Sequence, residues 1–434
     1  MALRFPLLLV VITFAAPVTA VDLLEVYEQA LQADPRINIA ELEVEIGREQ
    51  FNAARGQLRP QVSATANVSD NKVDFRELDI DNQNYNGERY SLVLRQTLFN
   101  WQQLSQRAQA RETIEQREAE LLDTMAAMMV DVSERYFEVL LAQEELSLVM
   151  TELELAVQQQ AAVSKQFERS LVPITQVYET RARADTIRAD EIQARADLAL
   201  AQEELALLTG TSFGALAALD EATVFPGVSG SLDKLTEEAL AGNHGIRARE
   251  KAVLVALKAI DETKGGHMPQ VDLVFSQQRS DIGFDNQQTP ERDTRYIGID
   301  VTVPLYSGGS TSAGVREAWH RKGIAEQELE AARREVIKAT RDAYLNSRAS
   351  YLRIEATARA KESAEKAYDA MVKSFQYGTV TSVDVLEALH RQTQGQRDYQ
   401  RARFEYVTHY LNLRRQTGSV TVDDLVEVNG WLTE

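Results

Sequence analysis

Three constellations in this chain have residue types that do chemistry in other proteins. Gly309 to Gly314, reading Gly-Ser-Thr-Ser-Ala-Gly, has the glycine spacing of a phosphate loop, between an alternating segment and a helical one. Val315-Arg316 follows in place of Lys-Ser/Thr, so the phosphate-binding cation and the magnesium hydroxyl are both missing. The stretch reads as a turn from strand into helix. The five histidines, His244, His267, His320, His390 and His409, have neither HExxH nor paired spacing, and no metal site is legible in them. Carboxylate pairs such as Glu144-Glu145 and Glu203-Glu204 lack any surrounding apolar pattern that would tune them as acid and base. With 26% of the chain charged, they read as solvated helix faces. There is no cysteine, which excludes disulfides, thiolate metal sites, a thiol nucleophile and anchoring through a lipidated N-terminal cysteine. No enzyme and no cofactor are expected.

Composition narrows the partners. Lysine and arginine number 47 against 66 acidic residues, a net charge of −19, which would repel nucleic-acid phosphates. Residues 1–20 have the form of a secretory signal: Arg4, an apolar core from Leu7 to Ala16, and Val18-Thr19-Ala20 as a small-residue cleavage site. Beyond residue 20 no run of about eighteen apolar residues occurs, so no transmembrane helix is expected.

The elements that organise the chain are rods. Residues 101–170 hold no proline and no glycine. Leu121, Met125, Met128, Val132, Tyr136 and Val139, then Leu146, Val149, Leu153, Ala156, Val163 and Phe167, form a stripe at spacings near 3.5 residues, the period of a coiled coil. At 1.5 Å per residue an unbroken helix here is roughly 100 Å long. Pro173 ends it, and a second helix is expected over 174–208. Ahead of the rod, residues 61–69 alternate Val62, Ala64, Ala66 and Val68 with Ser63, Thr65, Asn67 and Ser69; residues 89–99 alternate likewise, with Tyr90, Leu92, Leu94 and Leu98 on one face. Asp70 to Glu88 between them reads as a polar loop.

The order then returns about 208 residues later. Leu58-Arg59-Pro60-Gln61-Val62 reappears as His267-Met268-Pro269-Gln270-Val271, Leu98-Phe99 as Leu305-Tyr306, and Thr209-Gly210 as Thr417-Gly418. The first structural repeat is expected over 21–230. The second covers 231–434, with strands 270–279 and 295–306 and helices 311–375 and 383–417. Four strands of about ten residues each suit the crossing of an outer membrane, but they cannot close a barrel. Open edges in lipid cost several kcal/mol per unpaired backbone group, so several copies must share one barrel. Two copies give eight strands and a side-chain-filled interior, and three give twelve, so an open conduit favours at least three copies and a trimer is expected. Trp101, Trp319, Tyr90, Tyr296 and Tyr306 read as interfacial aromatics near strand ends; the two tryptophans read equally well as packing where strand turns into helix.

At this point the chain resembles the TolC family of outer-membrane channels, from Asp22-Leu23-Leu24-Glu25-Val26-Tyr27 to Thr417-Gly418. The resemblance is most specific in Leu58-Arg59-Pro60-Gln61, in Val303-Pro304-Leu305-Tyr306-Ser307-Gly308-Gly309, and in Tyr377-Gly378-Thr379 leading to Val383-Asp384-Val385-Leu386. It implies a homotrimer: a twelve-stranded transmembrane β-barrel in outer-membrane lipid, four strands per chain, continued by a coiled-coil α-helical barrel across the periplasm. It also implies docking on a periplasmic adaptor (membrane fusion) protein and an inner-membrane efflux pump or ABC transporter. Ser170, Leu171 and Val172, with Gly378, Thr379 and Val380, would be the adaptor-contacting tip loops. Asp384 and Glu387, on one helix face, would ring the periplasmic gate with carboxylates, with Gln176 at the matching place in the first repeat. Two positions depart from the family: Ser170 replaces a glycine and Gln176 an acid. Val380 also stands where some relatives place an arginine. Without the resemblance, Asp384 and Glu387 read as acids favoured at a helix start.

The function expected is a passive outer-membrane exit duct for efflux or type I secretion, opened by sliding or untwisting of the helix pairs containing 174–208 and 383–417. The alternative is an exported coiled-coil tether without a pore, which has no use for four bilayer-length strands.

Overall fold

The computed structural model describes residues 20–73, 83–283 and 287–433. The signal-peptide reading of residues 1–20 therefore lies, but for its last residue, outside the described residues. The chain runs through helices α1 (Leu23–Ala33) and α2 (Pro35–Gln57), strands β1 (Gln61–Val73) and β2 (Gln83–Asn100), and helices α3 (Trp101–Glu168) and α4 (Ile174–Thr209). It then repeats that order: α5 (Leu232–Gly242), α6 (His244–Lys264), β3 (Gln270–Ile282), β4 (Gln288–Thr302), α7 (Ser310–Gln376) and α8 (Ser382–Gln416), with a short α9 (Val422–Asn429) at the end.

Local chemistry sets these boundaries, and it sets them twice. Asp34 caps α2 by accepting from Arg36 N, with Pro35 in the first turn where a missing N–H costs nothing. Asn243 caps α6 in the same way, accepting from Ile246 N. Asn100 stops β2 and caps α3, its Oδ1 accepting from Gln103 N at 3.2 Å. Gly210 and Gly418 take left-handed conformations at φ 69° and 68° and end α4 and α8. With 68 and 67 residues, α3 and α7 are rods of about 100 Å.

The sheet is a four-stranded antiparallel meander, β1-β2-β3-β4. The strands run further toward the hairpin tips than alternation predicts. Asn71 pairs with Tyr85 and Lys72 with Asn84, inside the stretch read as a loop. Backbone pairing continues there because a hairpin ladder satisfies N–H and C=O whatever the side chains, and polar ones lose nothing at a wet surface. At the other end β4 stops at Thr302 instead of 306, because Pro304 has no N–H to donate. Tyr306 therefore lies in the connection to α7, and Tyr90 and Tyr296 sit well inside longer strands. A bulge between Thr97 and Phe99 puts Phe99, not Leu98, opposite Val271.

Two cores hold the helices. The larger, midway along the rods, wraps α1, α9 and residues 211–231 around α3 and α8, with Tyr136, Phe137, Met128, Val132, Tyr406, Val407 and Leu411 buried. Tyr136 Oη donates to Ala217 O at 2.7 Å and Val21 O at 3.2 Å, tying the start of the chain and the inter-repeat segment to α3. Arg403 is 1% exposed; it donates to Gln400 Oε1 and Asp220 O and lies beside the rings of Phe225 and Tyr399. The smaller core, nearer the tips, joins Val149 and Ala156 of α3, Ala184 and Ile187 of α4, and Leu386 and Leu389 of α8. Of the α3 stripe, Met128, Val132, Tyr136, Val139, Val149, Ala156 and Val163 are buried, Leu121, Met125, Leu146 and Leu153 are half-buried, and the last member, Phe167, is exposed.

Candidate functional site

The sheet has two chemically different faces. Residues paired directly across antiparallel strands share a face. Val62, Ala64 and Ala66 oppose Leu94, Leu92 and Tyr90; Leu94 opposes Phe275, and Phe275 opposes Ile297, with Ile299 and Val301 following along β4. The other face runs in polar rows: Thr65, Ser91, Gln278 and Thr294 across all four strands, then Asn67, Arg89, Ser280 and Arg292. Tyr296 lies on this second face over Gly298, where a Cβ would collide with its ring, and its hydroxyl donates to Asp300 Oδ1 at 3.3 Å. Toward the hairpin tips the first face turns polar, with Gln277 and Arg295 in the row of Leu92 and Arg279 and Asp293 in the row of Tyr90, so its lipid-suited band is the half nearer the helices; the second face suits water.

The edges are unfinished. β1 and β4 each pair on one side only. The helices beneath repeat the pattern: α2 packs on α3, α3 on α6, and α6 on α7, leaving α2 and α7 at the margins. Both margins expose apolar side chains, Ile39, Leu42 and Ile46 on α2, and Ile324, Leu345 and Leu352 on α7.

At the far end of the rods stand two turns of nearly identical construction. In the first, Leu171 N donates to Gln166 O at 2.9 Å and Ser170 N to Phe167 O at 2.8 Å. In the second, Thr379 N donates to Ser374 O at 3.1 Å and Gly378 N to Phe375 O at 2.9 Å. Each is the paired-bond helix stop that needs a left-handed residue, and the φ values are 60° at Ser170 and 73° at Gly378. Leu171 is 69% exposed and Tyr377 84%, so both turns carry an apolar side chain into solvent. Val172 and Val380 are half-buried behind them.

Below the turns the repeats differ. α8 starts on a reciprocal cap: Asp384 N donates to Thr381 Oγ1, while Asp384 Oδ2 accepts from Thr381 N at 2.8 Å and Thr381 Oγ1 at 2.7 Å. Those two bonds from Thr381, side chain first, hold the Asp384 carboxyl below the usual carboxylate range. Glu387 pairs with Arg391 at 2.6 Å on the exposed surface, so part of its charge is answered locally. α4 starts on Pro173 with no side-chain cap. Gln176 is half-buried in its first turn, and among the described residues its side chain makes no hydrogen bond to the second tip. A groove of about 580 Å³ separates α4 from α8, lined by Glu179, Arg183, Glu387 and His390 with Val383 and Leu386 between them.

Sequence reasoning missed three residues here. Glu152 of α3, Arg183 of α4 and His390 of α8 meet at one carboxylate oxygen, Glu152 Oε1, which Arg183 Nη2 reaches at 3.3 Å and His390 Nδ1 at 3.2 Å. No spacing within a single helix announces such a meeting. The turn ahead of α7 falls at Gly308 and Gly309, both left-handed, and the rest of the Gly309–Gly314 stretch is already the start of α7.

The family model for outer membrane efflux proteins matches residues 26–211 and 235–419. The outer membrane protein TolC of Vibrio cholerae is 30% identical over 426 residues, 97% of this chain and 96% of that one. The alkaline protease secretion protein AprF of Pseudomonas aeruginosa is 28% identical over 418 residues, 94% of this chain and 86% of that one. The Campylobacter jejuni CmeC outer membrane channel superposes with a TM-score of 0.81 at 15% identity, covering 95% of this chain and 90% of that one.

Proposed function

The chain belongs to the outer membrane efflux protein family, and we propose on that footing that three copies of it form a passive exit duct across outer membrane and periplasm. The observation that carries the reading is the two-faced, open-edged sheet standing on 100 Å rods. Three such sheets joined β1 to β4 close a twelve-stranded barrel with the apolar face in lipid and the Thr65 and Asn67 rows lining water. Joining α2 to a neighbour's α7 covers the exposed apolar side chains on both helices. Two copies would close eight strands, whose interior side chains fill. The repeats, proposed to run over 21–230 and 231–434, make the helical barrel pseudo-sixfold.

The tips are the working end. Ser170, Leu171 and Val172, with Gly378, Thr379 and Val380, are proposed to contact a periplasmic adaptor, which bridges to an inner-membrane pump or ABC transporter supplying the energy. The exposed Leu171 and Tyr377 support that role. Three copies of Asp384 and Glu387 would face the entrance, with Gln176 in the equivalent place on α4, and favour cations there. Opening would proceed by movement of the α7–α8 pair against the α3–α4 pair. Transported cargo is proposed to be small toxic molecules or polypeptides secreted in one step.

The test is direct. Protein extracted from outer membranes in detergent should run as a trimer on cross-linking and conduct ions in a planar bilayer. A monomer, or a trimer without conductance, would favour the tether reading and end this one.

A further inference from the structure

The seam between α3 and α8 carries two ionic ties in one register. Glu145 of α3 faces Arg397 of α8 at 3.4 Å, and Glu152 faces His390 at 3.2 Å. Glu152 lies seven residues beyond Glu145 and His390 seven residues before Arg397, so the ties are successive steps of one antiparallel heptad seam. The tie farther from the tip uses arginine, which is always charged; the tie nearer the tip uses histidine, whose charge changes in the physiological range.

Glu152 is the unusual member. Its side chain is 5% exposed, against 29% for Glu145, and a carboxylate so buried is costly without partners. Arg183 holds it from within its own helix pair, and His390 holds it from the other. Among the described residues, the titratable and charged groups placed with His390 are Glu152 on α3, Glu179 and Arg183 on α4, Glu387 one turn back on α8 and paired to Arg391, and Tyr368 of α7 in the adjoining core. Arg183 is the cation of that set that engages Glu152, and it stays with α4 when α8 moves.

Resting on the duct reading above, we propose that Glu152 and His390 form a pH-sensitive latch, which ties the α7–α8 pair to the α3–α4 pair and grips more strongly when the imidazole is protonated. The reason is bond type. A neutral imidazole donates to Glu152 only in the tautomer that carries its one N–H at Nδ1, while an imidazolium carries both N–H groups and adds a full positive charge facing the carboxylate, turning the hydrogen bond into an ion pair. Moving α8 outward breaks the bond in either state, but more free energy is needed from the protonated one. The Glu145–Arg397 tie, permanently charged, would act as the fixed pivot above it.

The experiment compares open probability of the purified trimer in planar bilayers at pH 6 and pH 8. Wild type should open more readily at pH 8, by roughly two- to fivefold for one latch, the worth of an ion pair whose histidine is 44% exposed. His390→Ala and His390→Gln should be open at both pH values, His390→Arg closed at both, and Glu152→Gln should lack the slope. All variants keep Asp384 and Glu387, so those acids cannot produce a difference among them. Trimer on unheated gels checks each variant's assembly, and the glutamine variant serves if alanine fails to assemble. A pH slope in His390→Gln equal to that of wild type overturns the latch while leaving the duct intact. A wild-type trimer that never conducts overturns both.

Discussion

Ser170 and Gly378 occupy the same left-handed backbone conformation at the two tips of one chain, φ 60° and 73°, each closing a rod with the same pair of backbone hydrogen bonds. A residue with a Cβ pays for that conformation and glycine does not, by roughly 1 kcal/mol. Ser170→Gly is therefore expected to leave the first tip unchanged in shape and slow its amide exchange. Gly378→Ala should speed exchange at Thr379 and nearby amides by the same margin, although open space surrounds the position. Equal exchange rates in both pairs would show that the strain is absorbed elsewhere.

A bulky charged residue tests a different property of the same turn. Gly378→Glu is expected to abolish efflux in cells while the trimer still assembles, because the turn is solvent-facing and proposed to meet the adaptor. Normal drug resistance with that variant would remove Gly378 from the contact.

At the entrance, Asp384→Ala combined with Glu387→Ala should weaken cation preference in single-channel recordings. Asp384 also takes part in the cap of α8, so the control is Thr381→Ala, which removes the hydroxyl half of that cap and keeps both acids. Selectivity lost to the same extent in the control would assign the effect to the helix start, not to charge.

In the larger core, Tyr136→Phe removes the donor to Ala217 O and Val21 O from a fully buried site. It is expected to cost about 1–3 kcal/mol, read as a lower denaturation midpoint. Arg403→Leu deletes the donor to Asp220 O and the stack on Phe225, and roughly 2–4 kcal/mol should be lost at the same seam.

The core also gives stability a pH dependence. Burial pushes the His409 imidazole below its ordinary value of 6.5, against the pull of Glu405, and Ser350 Oγ bonds its Nδ1 at 2.7 Å. The folded state then binds fewer protons than the unfolded chain just below pH 6.5. This contribution is complete above that pH and falls away as pH drops toward the folded value. His409→Gln should flatten the acid limb of a stability-versus-pH curve, where His244, also lowered by burial, would remain.

Periodicity and repetition carry much of this protein on the surface of its sequence. A glycine-free, proline-free heptad run from Trp101 has no conformation but a long helix, and Asp34, Asn100 and the glycines that end the rods act through bonds to near neighbours. The same holds for the two faces of the sheet, because alternation assigns each side chain to one side or the other. Strand ends were less legible: pairing beyond Asp70 depends on a partner strand, and the bulge at Thr97–Phe99 moved Leu98 off its face. Ser170 hides its left-handed φ, since nothing in a serine announces it. What tertiary structure alone decided is which helices touch. Glu152, Arg183 and His390 come from three helices and are brought together by the packing of one rod pair on another. A helical pattern fixes which face of each helix is apolar; the partner that face finds, and the charges caught at its margin, follow only from the assembled bundle.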